Sequence, residues 1–118
     1  DGRPHDTSPG PTWMGDSIGK WEGDTLVVDT IGFNDRTWID RLGHPHTEDL
    51  HIVERFRRVD QNTLQIDLTI EDPKVYVQPW HVQMRYAKRP AEWRILELAC
   101  EDDASFAEFE KLTAQPAR

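Results

Sequence analysis

From Leu64 to Glu71 the side chains alternate without a break, with Leu64, Ile66, Leu68 and Ile70 on one side and Gln65, Asp67, Thr69 and Glu71 on the other. A period of two gathers the four aliphatic groups on one face of an extended strand, whereas a helix would scatter them around its circumference. Such a strand needs neighbours of the same pattern to bury its dry face. Trp80, Val82, Met84 and Tyr86 supply it again within residues 75–87, and further strands are predicted over residues 50–59 and 93–100. The junctions Asp60-Gln61-Asn62, Asp72-Pro73-Lys74 and residues 88–92 are too short for crossovers, so consecutive strands should pair antiparallel. Upstream, residues 17–22 and 25–31 flank Gly23-Asp24, a two-residue junction of hairpin type, and the second arm is rich in β-branched residues.

Two segments break the pattern. Residues 1–16 hold three prolines and three glycines, a composition that predicts turns and extended chain and hence an ordered arm. Residues 32–49 lose all periodicity, and that length exceeds an ordinary connection and marks a functional loop. Its order is expected from the apolar anchors Phe33, Trp38, Ile39 and Leu42. At the C-terminus Ser105 and Glu108 form a capping box, and Phe106, Phe109 and Leu112 fall three apart, which predicts a short helix over residues 105–113. Six up-and-down strands with one helix define a mainly β, antiparallel meander, either a closed barrel or a half-barrel. An edge left open would be covered by an upstream segment or by a second copy of the chain.

With 118 residues the chain is sized for one domain, residues 1–118. Its 22 acidic and 14 basic residues leave a formal charge of −8, a field that repels phosphate backbones, so nucleic acid is not an expected partner. No apolar run approaches the roughly 20 residues that span a bilayer, and no membrane insertion is expected. The start at Asp1 without a methionine suggests a processed or partial chain. Cys100, the one cysteine, is expected to be a small buried hydrophobe or to pair outside this sequence.

The loop and the strand after it hold the candidate chemistry. In extended chain His44, His46 and Glu48 point to one side, two nitrogens and an oxygen at a spacing that suits a divalent metal such as zinc, iron or manganese. His5 could join them if the arm folds back. The alternative is that Pro45 stiffens a turn and both imidazoles bond loop carbonyls. Glu54 shares its strand face with Ile52 and Phe56, so a carboxyl points into apolar surroundings and must be paired or have a raised pKa. It is an acid–base group, a ligand-orienting acceptor, or the buried partner of an arginine such as Arg3, Arg36 or Arg41. Asp35 and Asp40 bracket Trp38, a plausible platform for a sugar or a small polar ring, with Arg41 and Asn34 beside it; Asn34 equally suits a turn. Trp13, Trp21, Trp80 and Trp93 are expected to pack internally.

Three segments together carry a family resemblance: Asp1-Gly-Arg-Pro-His5; Ser17-Ile-Gly-Lys-Trp-Glu-Gly-Asp-Thr-Leu-Val-Val-Asp29 with Gly32-Phe-Asn-Asp35; and Gly43-His-Pro-His46 with Glu54-Arg-Phe56. The chain resembles the C-terminal part of a family of exported hypothetical proteins from soil bacteria. The resemblance implies a secreted or periplasmic location and further strands upstream, and it implies no activity. An upstream cysteine in that family would offer Cys100 a partner in the longer protein. Gly19-Lys20-Trp21 is similar to the Gly-x-Trp that opens lipocalin barrels, which supports a calycin-like architecture. His44-x-His46 is similar to the first cupin motif, but Leu50 and His51 stand where its glutamate belongs.

These readings converge on a small-molecule-acting domain with a polar His/Asp/Glu pocket roofed by the long loop. The chemistry expected there is acid–base or metal-assisted, of hydrolase or lyase type. Glu54, His44, Asp35 and Asp40 are the catalytic candidates, and Trp38, Arg41 and Asn34 the ligand contacts. The alternatives are a carrier that binds without turnover and an assembly module completed by another segment.

Overall fold

The computed structural model describes residues 2–95. The chain divides into two compact units, Asp1–Lys88 and Arg89–Arg118, and all five described strands lie in the first. They are β1 (Asp16–Glu22), β2 (Thr25–Ile31), β3 (His51–Arg58), β4 (Thr63–Glu71) and β5 (Trp80–Ala87). Every strand pairs antiparallel with the next, giving one sheet in the order β1-β2-β3-β4-β5. The fold is the expected antiparallel meander. Among the described residues β1 and β5 remain the edges of an open sheet, the half-barrel form of the expectation.

The register sorts side chains as the alternation predicts. Leu64, Ile66, Leu68 and Ile70 stand opposite Tyr86, Met84, Val82 and Trp80. Across the other ladder Ile52, Glu54 and Phe56 stand opposite Ile70, Leu68 and Ile66. Val28 pairs with Glu54 and Leu26 with Phe56, while Gly19 and Trp21 extend the same rows into β1. The apolar face thus runs over all five strands with Glu54 near its centre. The opposite face carries Lys20, Asp29, His51, Arg55, Asp67, Gln83 and Arg85, with Ile18, Val27 and Val53 as an apolar strip. Strands contact only their neighbours in the sheet, so no second sheet layer among the described residues covers either face.

Three expectations shift. The strand expected from residue 75 begins at Trp80, because the buried Asp72 turns the chain. Its carbonyl accepts the Val75 and Tyr76 amides at 3.1 and 2.8 Å, its carboxylate accepts the Lys74 amide at 3.1 Å, and Pro79 has no N–H to give a ladder. In the second unit residues 93–95 are irregular, since the Trp93 amide closes a turn on the Pro90 carbonyl at 3.1 Å and Arg89 lies over the Trp93 ring. The rest of that expected strand, Cys100 and the helix over 105–113 lie outside the described residues. Finally, Trp13, Trp21 and Trp93 are exposed and Trp80 alone of the four is half-buried; for Trp21 the reason is that no second layer among the described residues covers the face it lines.

The two irregular segments are ordered by polar contacts. The arm lies beside the end of β2, where the Thr12 amide donates to the Gly32 carbonyl at 2.9 Å and the Asn34 amide to the Thr12 carbonyl at 2.7 Å. The loop closes on itself through a bridge between Trp38 and Pro45 and a bond from the Ile39 amide to the His44 carbonyl at 2.9 Å. Gly43, at φ +85°, makes the tight return. Phe33 and Ile39 are half-buried, but Trp38 and Leu42 stand 71% and 84% exposed and anchor nothing. Their place is taken by the buried His46, which faces Phe33 edge-on, and by the Tyr76 hydroxyl, which donates to the Pro45 carbonyl at 2.6 Å.

Candidate functional site

Glu54 has the apolar setting that strand parity predicts. Its row neighbours are Val28 and Leu68, it is half-buried, and no described residue forms an ion pair or hydrogen bond with its carboxyl. Arg3 is bound instead to Asp16, while Arg36 and Arg41 are exposed. Burial alone therefore pushes the Glu54 carboxyl above its ordinary value of 4.5. A carboxyl in that state holds its proton further toward neutrality than a surface glutamate, which suits it to donate as well as accept.

Trp80 stands on the same face, across β4 from Ile52. The long loop reaches it through His44, whose ring meets the Trp80 ring edge-on at 4.9 Å between centroids, while Tyr76 packs on Trp80 at 4.5 Å. Asp40 orients the imidazole by accepting from His44 Nδ1 at 2.7 Å. That bond, seconded by the His44 and Leu42 amides, holds Asp40 below the usual carboxylate range. With Nδ1 so engaged, the neutral ring presents an unprotonated Nε2, which has no partner among the described residues. The arrangement is that of a carboxylate-oriented base.

The remaining candidates do not join this pair. His46 is turned inward, its Nδ1 donating to the Thr47 carbonyl at 3.1 Å and its Nε2 accepting from the Thr37 hydroxyl at 2.8 Å. Glu48 is exposed. The expected metal set of His44, His46 and Glu48 is thus not brought together, and among the described residues no three His, Cys, Asp or Glu side chains gather as metal ligands. Asp35 and Arg41 are exposed, and Trp38 carries its ring outward. Asn34 takes the turn role, its side-chain oxygen accepting the Arg36 amide at 3.1 Å.

A second cluster on the polar face escaped the reading from sequence. The arm does fold back, and His5 enters between two strands: Nδ1 lies 2.9 Å from Asp16 and Nε2 lies 2.9 Å from Asp29. The other oxygen of Asp29 meets His51 Nε2 at 3.2 Å, and His51 Nδ1 lies 3.5 Å from Glu71. Burial works to lower the His5 pKa, but the bonds to Asp29 and Asp16 outweigh it and the net shift is upward. Asp16, held first by Arg3 and then by His5, falls to about 2. Burial would raise Asp29, yet its two imidazole partners leave it below the usual carboxylate value. One signal was available: Asp29 and His51 sit in neighbouring strands with the parity opposite to Glu54, a diagonal pair on the polar face.

No family model, curated protein or solved structure matches the chain.

Proposed function

We propose that the apolar face of the sheet binds a small, largely apolar organic molecule and that Glu54 exchanges a proton with it. His44, oriented by Asp40 beside Trp80, is the second acid–base group at the loop end of that face. The observation that carries the reading is the Glu54 carboxyl itself, unpaired among the described residues, set in an apolar field and raised in pKa by burial. Purely structural carboxylates are normally paired, because an uncompensated buried charge is costly, whereas groups that trade protons keep such an environment. The supported chemistry is acid–base catalysis of hydrolase or lyase type. A carrier without turnover is the second reading, supported by the predominance of Leu, Ile, Val and Phe on the face, with Glu54 then orienting the ligand by a single hydrogen bond.

The test uses p-nitrophenyl butyrate as a probe of hydrolysis and anilinonaphthalene sulfonate as a probe of the apolar face. Glu54→Gln and His44→Gln should keep dye binding within about twofold while turnover falls by roughly 10²-fold or more. Dye binding without turnover in the unaltered protein would transfer the assignment to the carrier. Failure to bind either probe would refute both readings.

A further inference from the structure

On the polar face, Gly2 and Arg3 of the arm form one wall of a groove of about 470 Å³. Its floor is the strip Ile18, Val27 and Val53, and Lys20, Asp29 and Arg55 stand at its rim. Whatever holds the arm therefore holds the groove's wall. Arg3 bonds Asp16 and the Ser17 carbonyl of β1, and His5 reaches both strands, wedged between Asp16 of β1 and Asp29 of β2 with a ring nitrogen 2.9 Å from each.

A neutral imidazole carries one N–H. It can donate to one of these carboxylates, but its other nitrogen then turns a lone pair toward the second, a contact between two acceptors. Both bonds are made together only by the imidazolium. We propose that the N-terminal arm is a pH-gated strap: protonated His5 pins residues 4–6 against β1 and β2, and loss of its proton releases them while Arg3 stays bound to Asp16 and the Ser17 carbonyl, loosening the arm beside the groove over Ile18, Val27 and Val53.

The charged groups around His5 favour this. Asp16 and Asp29 face the ring directly; on the arm itself Arg3 and Asp6 both engage Asp16, through the Arg3 guanidinium at 3.0 and 3.2 Å and the Asp6 amide at 3.1 Å. From β3 and β4, His51 and Glu71 reach the site through Asp29. The cation is thus set against two carboxylates that stay ionised far below neutrality, and its pKa lies above the ordinary 6.5. For a group raised in the docked state, the docking contribution is complete below 6.5 and disappears as pH rises through the raised value. Arg3 remains charged throughout and keeps its bonds to Asp16, so the expected change is undocking of the arm tip around His5 and not unfolding of the sheet.

Nuclear magnetic resonance on the intact chain tests this directly. The His5 ring protons should titrate with a midpoint above 6.5, and the Asp6 amide, corrected for intrinsic exchange, should lose protection by about tenfold across that midpoint while the Val27 and Ile66 amides keep theirs. His5→Gln should abolish the step in Asp6 protection, and Asp29→Asn should move the His5 midpoint down. The proposal is overturned if His5 titrates at or below 6.5, or if Asp6 protection is level across the His5 midpoint. Parallel loss at Val27 and Ile66 would equally overturn it, because the transition would then be global.

Discussion

Replacing Asp72 by alanine removes the side chain that ties the long loop to the β4–β5 connection, and the cost can be worked from its contacts. The residue is 1% exposed. Its carboxylate accepts the Thr47 amide and, at 3.1 Å each, the Thr47 hydroxyl and the Lys74 amide. A hydrogen bond to a charged acceptor contributes roughly 1.5–3 kcal/mol, so three would sum to about 5–9 kcal/mol if each donor were stranded. Two effects reduce the sum: water reaches the Lys74 amide beside an exposed side chain, and removing the carboxylate also relieves its own desolvation. The net expectation is a loss of about 3–4 kcal/mol, a large share of the 5–15 kcal/mol that stabilises an ordinary domain. Urea unfolding followed by tryptophan fluorescence reads it as a fall in midpoint at constant slope. Asp72→Asn keeps one acceptor oxygen and should lose about half as much. A loss below about 1 kcal/mol for alanine would refute the reasoning, since it would mean that the loop is held by something other than Asp72.

Two further expectations rest on single positions. A Cβ on Gly15 would stand 2.5 Å from the Ile31 carbonyl oxygen and 2.9 Å from a Thr30 methyl, at φ +68°, so Gly15→Ala should cost about 1–3 kcal/mol, and an unchanged thermal midpoint would contradict it. For Glu54 the folded state holds the proton more tightly than the unfolded chain, so its contribution to stability is complete below 4.5 and is lost as pH rises through the raised value. Glu54→Gln should flatten that descent, and denaturation at a series of pH values would expose the opposite sign as an error.

The sheet was legible because a period of two leaves little choice. One slip of register would move Leu64, Ile66, Leu68 and Ile70 to the wet side, and the turns at Gly23-Asp24 and 60–62 are too short to absorb it. The start of β5 was not legible for a related reason. Val75 and Val77 continue an alternating apolar pattern, but Asp72 withdraws the local amides into a turn, a choice made by side-chain hydrogen bonds to which hydropathy is blind. Trp38 and Leu42 misled in the same way: large apolar side chains were read as anchors where backbone bonds and His46 do the holding.

Candidate site residues divide along the same line. Glu54 follows from parity alone, because the strand that places Ile52 and Phe56 on the dry face must place Glu54 there too. His44 and Asp40 were found as loop residues, but their pairing depends on Gly43 bringing the chain back at φ +85°, which spacing does not reveal. His5 lies furthest from prediction, since its partners stand 11 and 24 residues away and the arm that carries it has no periodicity to orient it. What makes that contact intelligible afterwards is charge. The chain carries a formal −8, and Asp16 and Asp29 crowd two carboxylates at the open end of the β1–β2 hairpin; a cation from the arm relieves their repulsion as Arg3 alone, bound to Asp16, does not. A titratable histidine at that point makes the relief conditional on pH, where a lysine or arginine would have made it permanent.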